Sequence, residues 1–210
     1  MSTRSEIAKI NSDGTVNEMY CHFDGYFSGV GRDLINRCNN QKKVNLLFSP
    51  ANIEEGIDEI PEVLENAIEE DEPSPNYSCI DDFVNHYKDD IFIEFLYIWI
   101  PGSENIPPKE KIENLLNKTA NLTYEDLQNV EGVWICCDNY KPDYFYKTKN
   151  ACEVELALRE VKLGDKVENL SEICKDALYR YWYANYENNK IFSDETTKHI
   201  LEKYREELEW

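Results

Sequence analysis

Glu6-Ile7-Ala8-Lys9-Ile10-Asn11-Ser12-Asp13-Gly14-Thr15-Val16-Asn17-Glu18-Met19-Tyr20-Cys21-His22 reads as two strands joined by a tight turn. Asp13-Gly14 supplies the positive φ that such a hairpin needs, with apolar and β-branched residues on either side. The hairpin sets the reading of the rest. Asp24-Gly25 to Gly29-Val30-Gly31 is a glycine-punctuated loop. Helices are expected over Gly31–Cys38 and Gln41–Phe48, the second ended by Ser49-Pro50. Ile53, Ile57, Ile60, Leu64 and Ile68 recur at three- and four-residue intervals over 52–70, with Pro61 opening a second helix. Ser78 is expected to cap a helix over Cys79–Tyr87, and Ile91–Ile100 is β-branched and aromatic enough to be a strand.

Pro107-Pro108 introduces a helix to about Asn117, and Thr123 is an N-cap before acidic first-turn residues. Gly132–Asp138 looks like a buried strand. Asp143–Lys149 fits strand or loop, and Val154–Val161 is ambiguous. Beyond it, Val167–Tyr183 and a stretch capped by Ser193 are helical in pattern. The expectation is α+β: an antiparallel sheet with an N-terminal β-hairpin, flanking helices and a helix-rich C-terminal third. Residues 1–150 form an α+β domain with an acidic helical insertion at about 50–90. Residues 151–210 form a helical region, separate or continuous with it.

At 210 residues, with 41% hydrophobic and 12% aromatic side chains, the chain can build a core. Its formal charge is −20. A field of that sign repels phosphate backbones and anionic bilayers, so nucleic acid and membrane are not the expected partners; a basic protein is. The longest apolar run, Ile91–Ile100, is too short to span a bilayer, and the N-terminus lacks an apolar signal core, which points to the cytoplasm. Seven cysteines without a C-x-x-C pair read as reduced, buried thiols. No catalytic residue, metal ligand set or cofactor is expected; His86 and His199 stand alone.

Charge is unevenly spread. Residues 1–105 hold 7 basic and 21 acidic side chains, and no Lys or Arg occurs between Lys43 and Lys88. Glu54, Glu55, Asp58, Glu59, Glu62, Glu65, Glu69 and Glu70 lie in that window. On a helix, carboxylates three and four residues apart sit ~5–6 Å from one another. Such a face can occupy a groove built for nucleic acid. These eight residues are the expected partner-binding set. Tyr179-Arg180-Tyr181-Trp182-Tyr183-Ala184-Asn185-Tyr186 reads first as core or subdomain packing, with a protein–protein contact as the alternative, since Tyr, Trp and Arg dominate hot spots.

The densest local signal is Tyr20-Cys21-His22-Phe23-Asp24-Gly25-Tyr26-Phe27-Ser28-Gly29-Val30-Gly31-Arg32. A histidine at a strand end, an aspartate two residues on and a glycine loop entering a helix could hold an anion. Arg4, His22, Asp24, Gly29, Gly31 and Arg32 are the candidate ligand-binding set. The competing reading is a turn shaped by glycines, its aromatics filling a core corner.

This segment, with Arg4, Ser5, Ile7 and Asp13-Gly14-Thr15, resembles a family of uncharacterised bacteriophage and prophage proteins. Their N-terminus has the form R-S-x-I, D-G-T, then Y-C-H-W-D-G-Y-P-x-G-V-G. Phe23 stands in place of the Trp and Phe27 in place of the Pro, so a shared pocket would be shaped differently. The resemblance covers about the first 35–45 residues and implies a viral or mobile-element origin in a bacterial host. An inhibitor of a bacterial defence system, of the anti-CRISPR or anti-restriction type, is the function expected from this setting and the acidic window. The alternative is a protein that binds or hydrolyses a phosphorylated nucleotide at the His22–Arg32 turn.

Overall fold

The computed structural model describes residues 3–49, 77–88, 90–139 and 145–160. The hairpin forms as expected from β1 (Ser5–Ile10) and β2 (Val16–Cys21). Gly14 takes φ +88°, and the Asp13 carboxylate accepts from the Thr15 N–H and hydroxyl at 2.9 and 2.7 Å. Three further strands, β3 (Phe95–Pro101), β4 (Gly132–Asp138) and β5 (Tyr146–Lys147), complete a sheet of order β2-β1-β3-β4-β5.

Three of the four pairings are antiparallel, but β1 and β3 run parallel, so the sheet is mixed. The reason lies in where the chain re-enters. Ser5 pairs with both Cys21, the last residue of β2, and Phe95, the first of β3. The connection thus leaves and returns at one end of the sheet, and β3 takes the inner position beside β1. A central strand is covered on both faces, which explains its unbroken apolar sequence Phe95-Leu96-Tyr97-Ile98-Trp99-Ile100.

Helices cover both faces. On one, Ala8, Ile10, Leu96, Ile98, Ile100, Ile135 and Cys137 pack under α3 (Ile80–Tyr87), α4 (Lys109–Asn117) and the single turn α5 (Tyr124–Leu127). Thr123 and Asp126 form a reciprocal capping box, as the N-cap reading of Thr123 expects. On the other face lie α1 (Arg32–Arg37), α2 (Gln41–Leu47) and α6 (Thr148–Glu160). Trp99 Nε1 donates to Gln41 Oε1 at 3.0 Å and Trp134 Nε1 to the Cys38 carbonyl at 2.7 Å, which ties α1 and α2 to the sheet. The ambiguous stretch from Val154 is helical as far as Glu160, and α6 crosses residue 150 with Ala151 and Cys152 buried.

Two local expectations are corrected. The strand starts at Phe95 instead of Ile91, because its partner β4 ends opposite Phe95 at Asp138. Without a partner, Asp90–Phe92 turns: the Asp90 carboxylate accepts the Phe92 N–H at 2.8 Å. Ser78 does not cap α3; Cys79 is the N-cap, and the Ser78 hydroxyl donates to the Asp82 carboxylate. The readings over 52–70, 167–183 and 193 onward, with Tyr179–Tyr186 and His199, lie outside the described residues. The six described cysteines are free thiols, five of them buried. Among the described residues no helix is long and apolar enough to cross a membrane.

Candidate functional site

The glycine-punctuated loop leaves β2 at Cys21 and winds through one wide turn, Phe27–Gly31, directly into α1. Asp24 enters it with φ +53°, a conformation Asp tolerates better than most residues. Its carbonyl accepts the Val30 N–H at 2.9 Å, and the Tyr26 carbonyl accepts the Gly29 N–H at 3.0 Å. The Ser28 N–H donates to the Glu155 carboxylate of α6. An anion therefore does sit at this turn, and it is supplied by the chain itself. Phe27 packs edge-on to Phe95 and Tyr97, the Tyr97 hydroxyl donates to the Gly25 carbonyl at 2.7 Å, and the Cys152 thiol donates to the Phe27 carbonyl.

The six candidate ligand residues lie before β1, just past β2, inside the turn and at the start of α1. Gly29 and Gly31 are buried inside the turn, and Arg32 is exposed at the start of α1. Asp24 is exposed and contributes its backbone. His22 Nδ1 lies 3.1 Å from the Tyr20 hydroxyl, and its ring packs against Phe23 at a tilt of 54°, the centres 4.5 Å apart. Arg4 places its guanidinium 5.9 Å from the centre of the Phe92 ring, while its carbonyl accepts from Glu94 and Phe95. The eight acidic candidates, Glu54, Glu55, Asp58, Glu59, Glu62, Glu65, Glu69 and Glu70, lie outside the described residues. Among the described residues no group of three His, Cys, Asp or Glu side chains could hold a metal ion.

Two further groups escaped the sequence reading. Glu18 is only 7% exposed and Glu6 3%, on the same face of neighbouring strands. Glu18 accepts from the Tyr87 hydroxyl at 2.8 Å and the Tyr77 hydroxyl at 3.3 Å. Burial, reinforced by the nearby carboxylates, pushes the Tyr77 phenol up to about 12 and Tyr87 higher still. The signal was present: Glu18 alternates with Val16, an inward position of β2.

The second is Asn139, just past β4. Its amide donates to the carbonyls of Tyr87 at 2.7 Å, Ile93 at 3.0 Å and Asp90 at 3.4 Å, and its N–H to Glu94. One side chain thus ties Tyr87 to Asp90 and Ile93. Asn139→Ala is expected to cost about 2 kcal/mol by removing the buried donor to the Ile93 carbonyl and the further bonds to Tyr87 and Asp90. It should also open residues 87–93 to limited proteolysis, read by mass spectrometry of the fragments.

Comparison of the chain with protein-family models, curated proteins and solved structures found no match.

Proposed function

We propose that this chain is a phage-encoded inhibitor of a bacterial defence system, acting in the host cytoplasm. It binds a basic, nucleic-acid-handling host protein through an acidic surface that stands in for a phosphate backbone, and turns nothing over. The observation that carries this reading is the window from Lys43 to Lys88, which excludes basic residues inside a chain of net charge −20. In its described part, α3 buries Ile80, Phe83, Val84 and Tyr87 and exposes Asp82 together with Asn85 and His86. The resemblance of the N-terminal motif to phage and prophage proteins supplies the setting. The nucleotide-binding alternative has less support, because the N–H groups of Ser28, Gly29 and Val30 are already bonded within the chain.

The test is a tagged capture from bacterial lysate eluted across a salt series. A basic nucleic-acid-binding protein is expected to leave between low and moderate salt, since exposed charge pairs are screened over about 10 Å at 0.1 M. Reversing Glu54, Glu55, Asp58 and Glu59 to lysine is expected to weaken that binding roughly tenfold or more. A quadruple variant that binds and inhibits like wild type sinks the mimicry reading.

A further inference from the structure

Resting on the acidic-inhibitor reading, we propose that Phe23, Ile91 and Phe92 form the hydrophobic anchor of its interface, received by an apolar socket on a cationic protein surface. The three side chains are 50%, 72% and 63% exposed. The topology brings them to one place. Ser5 pairs with Cys21 on one side and Phe95 on the other, so the residues just past β2 and just before β3 flank Arg4 at the same end of the sheet.

Each is held before any partner arrives. Phe23 packs at a tilt against the His22 ring, and its carbonyl accepts from the Cys21 thiol. Phe92 lies against the Arg4 guanidinium and is fixed through its N–H by Asp90. Ile91 rides on the loop that the Asn139 amide clamps at three carbonyls. A loose apolar loop loses much of its contact energy to ordering on association; a clamped one does not. Phenylalanine and arginine are both enriched at protein interfaces relative to the rest of the surface.

Charge selects the occupant. Asp24, Asp90 and Glu94 lie within two positions of the tip residues along the chain, Lys88 lies three away and Arg4 sits against Phe92, within a molecule of net charge −20. A second copy would bring another −20 to the contact, and nucleic acid or an anionic bilayer would be repelled likewise. A cationic protein surface satisfies both requirements, apolar burial at the centre and opposite charge at the rim.

The experiment uses the full chain in three forms: wild type, the tip variant Phe23→Ser/Ile91→Ser/Phe92→Ser, and the quadruple lysine variant of Glu54, Glu55, Asp58 and Glu59. The cationic protein recovered by wild type is purified and titrated against each at several salt concentrations. The tip variant is expected to bind roughly tenfold or more weakly with an unchanged salt dependence, and the lysine variant to lose the salt dependence. Should the tip variant fail to give a wild-type circular dichroism spectrum, Ile91→Ser alone, at the most exposed position, is expected to weaken binding about threefold. Tip variants that bind within error of wild type while the lysine variant fails overturn the anchor and leave the acidic reading standing. The reverse pattern, tip lost and lysine variant unchanged, removes the acidic window and keeps the anchor. Recovery of no cationic protein at any salt overturns both. A wild-type dimer by light scattering that the tip variant converts to monomer makes the occupant a second copy and overturns the proposal.

Discussion

Alanine at position 29 is expected to destabilise the protein by about 3 kcal/mol, with no ligand present. A Cβ built there would lie 2.2 Å from the carbonyl oxygen of Asp24 and 2.8 Å from the Tyr26 ring. The ring can shift a little; the carbonyl cannot, because it holds the Val30 N–H at 2.9 Å and belongs to a residue already at φ +53°. On the far side, the Gly25 N–H is tied to the Thr3 carbonyl beside β1. Displacing this turn would lift Phe27 off Phe95 and Tyr97. Gly31→Ala is the control: the three atoms nearest its Cβ would be side-chain atoms of Tyr97, Thr148 and Cys152 at 3.0–3.3 Å, so about 1 kcal/mol is expected. Urea titrations of the two variants beside wild type measure both. If Gly29→Ala were as stable as wild type, the glycine would be kept for something other than the turn.

Raising the pH from 9 to 11 under reducing conditions is expected to unfold the protein. Burial pushes the Cys21 and Cys38 thiols up to about 11, Cys152 up to about 12, and Cys136 well above its ordinary value. An unfolded thiol ionises near 9.0, so above that pH the unfolded chain sheds protons that the folded chain retains. The stabilisation is therefore complete below pH 9 and declines as pH rises through the folded values. Each such thiol contributes about 1.4 kcal/mol of loss per pH unit. Four together approach the 5–15 kcal/mol of a typical domain within roughly one to two units. The half-buried Tyr77 and buried Tyr87 phenols add in the same direction at higher pH. The urea midpoint measured from pH 7 to 11 checks this, and Cys38→Ala is expected to flatten the slope by about one proton. A midpoint unchanged to pH 11 would mean that these thiols are not shielded from water.

The hairpin was legible because Asp13-Gly14 is a local device: the turn's φ and its carboxylate bonds need nothing beyond five residues. The helices at α1, α2 and α4 and the strand β4 were legible for the same kind of reason, a short-range period with a start or stop residue. Ile91 and Phe92 misled because hydrophobicity marks what can be buried, whereas a strand begins only where a partner strand exists. The candidate turn was located in sequence but not its state. Nothing near His22 or Gly29 signals that Glu155, 127 positions after Ser28, would fill the position of an anion. Glu18 was readable from strand alternation; Asn139 was not, because its role is defined by three carbonyls some fifty residues away.

Composition and local pattern by themselves determined that this chain is strongly acidic, able to form a core, α+β in class and begun by a hairpin, because charge sums and short-range hydrogen bonds are properties of the chain alone. Only the tertiary structure decided that β3 lies parallel to β1, that Glu155 closes the glycine turn, and that Phe23, Ile91 and Phe92 lie at one end of the sheet. Each of these depends on long loops closing. The entropy of closure changes slowly with loop length, so many pairings are nearly equal before side chains pack. Burial on both faces of the central strand then selects one of them, and that choice is made by the whole core at once.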